Sequence, residues 1–255
     1  MTKILYIANR DFKSYFTGLV AYVAAGLFMM LMSWMFFNVF VYFANNQYQM
    51  MAQGNHQSFS LNEYVFAPHF SNVNVILLIM IPALTMRLFA EERKNRTLDL
   101  LMTSPLTAGQ IVAGKFIAGL GIVWTIIGTL ALYPIVTSFF GHFDKGPILT
   151  TFLGLGLLTS VYVAIGIFAS SLTESAIIAF IVAFVIEMFF WVIGWAGASM
   201  ESAMGQTVFN YLSIVGHYAD FTKGIIDTSG VIYYVSMAFF FCFLSQRVLE
   251  SARWR

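Results

Sequence analysis

Six stretches of this sequence are apolar for long enough to cross a lipid bilayer, and nothing else in it constrains the fold so tightly. They occupy 19–43, 73–89, 111–139, 148–170, 175–195 and 231–249. About 20 apolar residues in a helix span roughly 30 Å of hydrocarbon. Within hydrocarbon each backbone polar group needs an internal partner, so segments of this kind must be helical. Composition agrees: 10% of residues are charged, against about 25% in an ordinary soluble domain, and 59% are hydrophobic. The reading is an all-α integral membrane protein, a single transmembrane domain with six spans. The second run is the weakest, being short, carrying Asn74 and holding Pro82, which should kink it. It is expected to continue as helix beyond Phe89.

Basic residues set the orientation. Lys3, Arg10 and Lys13 precede the first span; Arg87, Arg93, Lys94, Arg96 and Lys115 surround the second loop; Arg247, Arg253 and Arg255 close the chain. Only Lys145 and Lys223 fall on the other side. Both termini are therefore expected in the cytoplasm, and the stretch 44–72, free of Lys and Arg, outside. Asn95-Arg96-Thr97 fits a glycosylation pattern but sits in the most basic loop, so it reads as unmodified. No cleavable leader is evident at the start. Net charge is +1, which gives no nucleic-acid signature, and the single cysteine, Cys242, allows no intrachain disulfide.

The segment 1–17 has Ile4, Leu5, Ala8, Phe12, Tyr15 and Phe16 at helical spacing, with Lys3, Arg10 and Lys13 opposite. That pattern predicts an interfacial amphipathic helix; the alternative is a frayed tail. The charge-dense stretch 91–108 predicts a short helix over 97–103, capped by Asn95 or Thr97 and ended by Pro105. Asp99 would sit near its positive end, and Leu98, Leu101 and Met102 would form its apolar side. A surface helix held between two spans suits mechanical contact with a partner; the alternative is a solvated turn. Thr107 to Gln110 has capping-box spacing at the start of the third span. Ser171 and Glu174 have the same spacing in the second turn on that side, so Glu174 reads as a helix cap rather than a catalytic acid.

Three other features invite chemistry. Gly109, Gly114 and Lys115 match most of a phosphate loop, but Phe116 follows where Ser or Thr would hold magnesium, and no strand precedes. The better reading is packing: Gly114, Ala118, Gly121, Thr125 and Gly128 give the third span a small-residue face. Glu187 is the only acid deep within a span, either functional or a neutral structural group. His56, His69, His142 and His217 show no metal-ligand spacing, and no hydrolase or metalloprotease motif occurs. No cofactor is expected in this chain.

At Thr85-Met-Arg-Leu-Phe-Ala-Glu-Glu-Arg-Lys, Thr97-Leu-Asp-Leu-Leu, Ser104-Pro105 and Gly114-Lys115 the sequence resembles the ABC-2 type permeases, the transmembrane subunits of many bacterial ABC exporters. Tyr211-Leu-Ser, His217-Tyr and the stretch from Lys223 to Asp227 resemble the subgroup that includes gliding-motility permeases. That family commonly has Gly before the Thr, where this chain has Arg96. The resemblance implies a permease of the bacterial cytoplasmic (inner) membrane, with no ATPase site of its own. ATP and Mg would be bound by a separate cytoplasmic ABC ATPase subunit. A second permease copy or a homologue would complete the pathway, in contact with membrane lipids; an accessory external or membrane subunit is a further candidate. Glu91, Glu92, Arg93, Thr97, Leu98, Asp99, Leu101, Met102 and Pro105 would form the ATPase-coupling loop, and 196–230 would be an external, re-entrant connection. Two rivals stand beside this reading: a proton-coupled secondary transporter using Glu187, and a non-transporting scaffold.

The charge asymmetry makes a direct prediction. A cysteine at Gln53 should react with an impermeant thiol reagent applied outside intact cells, and one at Asn95 should not. The reverse pattern overturns the orientation.

Overall fold

The computed structural model describes residues 2–53, 60–103, 106–198 and 202–252. Every regular element among them is helical, and six helices are long and apolar enough to cross a membrane. His56 lies outside the described residues.

Helix α1 (Thr2–Thr17) is separated from α2 (Leu19–Ala52) only by Gly18, in extended conformation. The turn frees α1 to lie across the bundle. Its buried side differs from the expected one: Ile7, Ala8 and Asp11 are buried, whereas Leu5 is exposed. The reason lies in α6 (Ala108–Ile127). A Cβ at Gly114 would sit 2.8 Å from Cβ of Ile7, and one at Gly121 would sit 3.1 Å from the Phe12 ring. The glycine notches of α6 thus receive α1. Tyr15 adds a hydrogen bond from its hydroxyl to the Leu84 carbonyl.

The second span begins with a π-helical turn, Asn62–Phe66, and runs through α3 (Ala67–Thr85) into α4 (Arg87–Lys94), a nearly continuous rod of 33 residues and about 50 Å. Only Met86 interrupts it. Asn74 is not a blemish in this span: its Oδ1 accepts a 2.9 Å hydrogen bond from the Tyr162 hydroxyl. Near Pro82, the Thr85 hydroxyl donates to the Ile81 carbonyl at 2.8 Å. Gly166 faces Thr85 so closely that no side chain fits there.

The third span breaks. After α6 comes a 3₁₀ turn, Gly128–Ala131, and then α7 (Leu132–Thr137). Pro134 explains the break, because it lacks the N–H that would bond the Leu130 carbonyl four residues back. Helix α8 (Lys145–Leu172) is the central post, buried along 161–167 and packed on α3, α6 and α9 (Ala176–Ala198). It also packs on α12 (Thr228–Ala252). Between α9 and α12 the chain forms α10 (Ala203–Leu212) and α11 (Ile214–Thr222), broken at Ser213, whose hydroxyl accepts from Gly216 N–H at 3.2 Å. Ile214, Tyr218 and Phe221 of α11 are buried in the bundle.

The two outermost spans are thinly covered: 11% of the apolar window of α2 and 22% of that of α9 are buried against the rest of the chain.

Two glycines of the third span make a paired test of the α1 contact. Gly114→Ala should destabilise by about 1–3 kcal/mol, because Ile7 and the Ile4 carbonyl cannot both withdraw. Gly128→Ala, with nothing within 4 Å of the added carbon, should stay within about 0.5 kcal/mol of wild type. Thermal unfolding in detergent reads both.

Candidate functional site

The charged surface at the end of the bundle carrying both termini is built on α4 and α5 (Thr97–Thr103). The turn between them hinges on Arg96, whose φ of 56° is left-handed. A side chain in that region costs about 1 kcal/mol or more, and glycine avoids the cost. This is where the resembled family carries Gly, so Arg96 keeps the turn without its usual residue. The expected capping of α5 by Asn95 or Thr97 does not occur. Asn95 closes α4, its N–H bonding the Glu91 carbonyl, and the Thr97 hydroxyl donates back to the Glu92 carbonyl at 3.3 Å. The left-handed turn places Thr97 as the first residue of α5 rather than before it.

Leu98 is 4% exposed and belongs to the main hydrophobic core, and Leu101 packs against that core from the edge. The apolar side of α5 is therefore turned largely onto its own bundle, which corrects the expectation of a freely presented apolar face. Glu91, Lys94, Arg96 and Thr97 are exposed, and Arg93 is half-buried. Glu91 pairs along its helix with Arg87 at 3.3 Å. The side chains of Asp99 and Met102, and all of Pro105, lie outside the described residues.

Two devices, neither legible as such in the sequence, hold this surface. The first turn of α4 leaves backbone N–H groups unbonded within its helix. Ser170 of α8 supplies the acceptor: its hydroxyl oxygen takes the N–H of Phe89 at 2.9 Å and of Ala90 at 3.0 Å, and donates to the Met86 carbonyl at 2.9 Å. The second device is Lys115, 1% exposed on α6. Its ammonium lies 3.1 Å from Asp11 of α1, 2.9 Å from Glu92 of α4, and 2.5 Å from the Leu88 carbonyl, and stands 4.9 Å from the Phe89 ring centroid. Arg10 bridges Asp11 and Glu92, each at 2.8 Å. The residue that imitated a phosphate-loop lysine is thus fully committed to protein partners. Glu92 is correspondingly a bundle residue more than a surface one.

In the second turn, Ser171 is not a cap. It lies in the last turn of α8 and its hydroxyl donates to the Phe168 carbonyl at 2.7 Å. The Thr173 hydroxyl, at the end of α8, accepts from Ser175 N–H at 3.1 Å, and Glu174 stands exposed just before α9. Helix α8 runs to Leu172, two residues past the expected end at 170, and so takes in Ser171.

Glu187, midway along α9, is 0% exposed. Neither carboxylate oxygen has a hydrogen-bond partner among the described residues. Among those residues no group of three or more His, Cys, Asp or Glu could hold a metal ion.

Residues 5–245 match the family model described as ABC-2 family transporter protein. The match is to the family as a whole and does not single out the gliding-motility subgroup. No curated protein matches the chain significantly.

Glu187 yields a prediction from its lack of hydrogen-bond partners among the described residues. A buried carboxylate that makes no bond has none to lose, so Glu187→Gln and Glu187→Met should melt no lower than wild type. A loss of about 3 kcal/mol or more in either variant would show that the carboxyl is bonded and structural.

Proposed function

The chain belongs to the ABC-2 family of transporter proteins, and on that premise we propose that it is the permease subunit of an ATP-driven exporter in a bacterial inner membrane, with both termini cytoplasmic. An ABC ATPase docks on the α4–α5 surface and supplies the energy. ATP and Mg belong to that subunit, and this chain receives force and forms the pathway.

One observation carries the reading. Helix α5 is short, lies at the surface, and is anchored by Leu98 to a turn that is itself tied to four helices through Ser170 and Lys115. A displacement of α5 is thereby delivered to α3, α8, α6 and α1 rather than dissipated in a loop. The exposed set Glu91, Lys94, Arg96 and Thr97 is what remains for the partner to grip, with Leu101 at its edge. The thin coverage of α2 and α9 suits lipid on one side and a second permease copy on the other. An accessory subunit would also have to use these flanks or the far end.

A second reading rests on Glu187. An unpartnered carboxyl inside a span is the arrangement that a proton-coupled transporter requires. The energy source separates the two: transport that survives ATP depletion but stops with an uncoupler favours this alternative. A scaffold without transport would show neither dependence.

Site-directed cross-linking tests the docking. In a Cys242→Ser background, a cysteine at Lys94 or Arg96 should cross-link to the co-expressed ATPase, and one at Gln53 should not. Leu101→Asp should also release the ATPase on co-purification, with Thr103→Asp as a milder control. Cross-links absent at both loop positions, with the ATPase still co-purifying, would place the contact elsewhere.

A further inference from the structure

At the far end of the bundle a cavity of about 660 Å³ opens between the end of α9, the break between α10 and α11, and the start of α12. Small-molecule sites commonly measure about 300–1,000 Å³. The walls are fixed by close packing. Gly194 and Gly197 let α10 approach α9 where a side chain would strike Ser213, Phe209 and Asn210. Hydroxyls of Tyr233 and Tyr234 hold the break from below, donating to the carbonyls of Leu212 at 2.7 Å and Ile214 at 2.6 Å.

Two kinds of side chain line this space. The first is aromatic. Trp191 and Trp195 stand one turn apart on α9, ring centroids 4.5 Å apart and tilted by 60°. Tyr211 meets the ring of His217 edge-on at 5.7 Å, and His217 is itself stacked on Tyr233 at 4.5 Å. The second is acidic. Asp220 and Asp227 both line the cavity, and no Lys or Arg is among the described residues that do. Lys223 approaches Asp220 only to 3.9 Å and is 65% exposed outside it. The Ser229 hydroxyl and N–H hold the Asp227 carboxyl below its ordinary range and so keep it ionised.

This combination selects by charge. A phosphate or carboxylate would meet two carboxylates and, among the described lining residues, no Lys or Arg, with the His217 ring already stacked on Tyr233. The positive start of α11 offers little in compensation, because Ser213 already takes the Gly216 N–H. A neutral sugar could stack on the indoles but would gain nothing from the net negative charge. An ammonium gains twice, from the carboxylates and from the π faces of Trp and Tyr. We propose that this cavity is a binding site for organic cations, amines or quaternary ammonium compounds, held between the α9 tryptophans and the pair Asp220 and Asp227. Occupancy depends on neither the ATPase nor the orientation in the membrane.

Calorimetric titration of the purified full-length chain, in a polyoxyethylene detergent that carries neither charge nor sugar, tests this with benzyltrimethylammonium as probe. Saturable one-site binding is expected. Asp227→Asn combined with Asp220→Asn should weaken it at least about tenfold, and Trp191→Leu about fivefold. Asn caps a helix as well as Asp does, so the start of α12 is preserved and the change reads charge. Asp227→Glu should bind nearly as wild type, and equal melting temperatures verify folding of each variant. Benzenesulfonate and methyl glucoside should give no saturable heat. The proposal is overturned if the ammonium fails to bind, if the double Asn variant binds it as wild type does, or if methyl glucoside binds equally well.

Discussion

The buried ammonium of Lys115 is the interaction on which the arrangement of one whole end of the molecule depends. A lysine with 1% exposure is tolerable only when its charge and its three donors are answered. Here the answers come from Asp11 on α1, Glu92 on α4 and the Leu88 carbonyl, with the Phe89 ring alongside. No one of these lies on the helix that carries the lysine. The cluster therefore specifies a mutual position for three helices and gives α1 a fixed seat beside its apolar contacts with α6. Removing a single partner from such a pair leaves a buried charge exposed to hydrocarbon and typically costs about 3–5 kcal/mol. The pair contributes specificity of arrangement more than net stability.

Glycines and a serine complete what the charge begins. The pairing of Gly114 with Lys115 is a unit: the absent side chain at 114 admits Ile7, which brings Asp11 one turn later within reach of the lysine at 115. Ser170 acts similarly at a distance, satisfying two orphan N–H groups on a different span. Both devices use one residue type for its size or its oxygen, and both act between helices far apart in sequence.

That separation explains what could be read from the sequence and what could not. The apolar runs and the helices over 97–103 and at the N-terminal end follow from local periodicity, which a sequence displays directly. The partners of Lys115 do not, because Asp11 and Glu92 are linked to it only by the fold. The sequence pattern of Gly109, Gly114 and Lys115 argued against a phosphate loop through the missing Ser or Thr, yet gave no hint of the ion cluster. Asn74 looked like a flaw in a span and is the acceptor for Tyr162. The capping-box spacing of Ser171 and Glu174 is a local rule, and it fails because α8 runs two residues past its expected end and takes in Ser171. Leu98 was placed on an outward face for the same reason: helical periodicity gives an apolar side but not the direction it faces.

If an ATPase pushes on the α4–α5 surface as proposed, the inward turn of Leu98 changes how that push is passed on. A helix presenting its apolar side to a partner would be held by that partner and could move independently of the bundle. A helix whose apolar side is buried at home is part of the bundle, and a partner pushing on its polar face pushes on the bundle itself. The left-handed backbone at Arg96 strengthens this coupling, since it fixes the angle between α4 and α5 where an extended loop would hinge. Ser170 then ties the first turn of α4 to α8, the post against which four other long helices pack, and Lys115 ties its last turns to α6 and α1. The weakly covered α2 stands outside this rigid set, whereas α9 packs on both α8 and α3. In the proposed function, a push on α5 accordingly displaces the α1–α3–α6–α8 block against α2, so the surface that can open is that flank and not the centre.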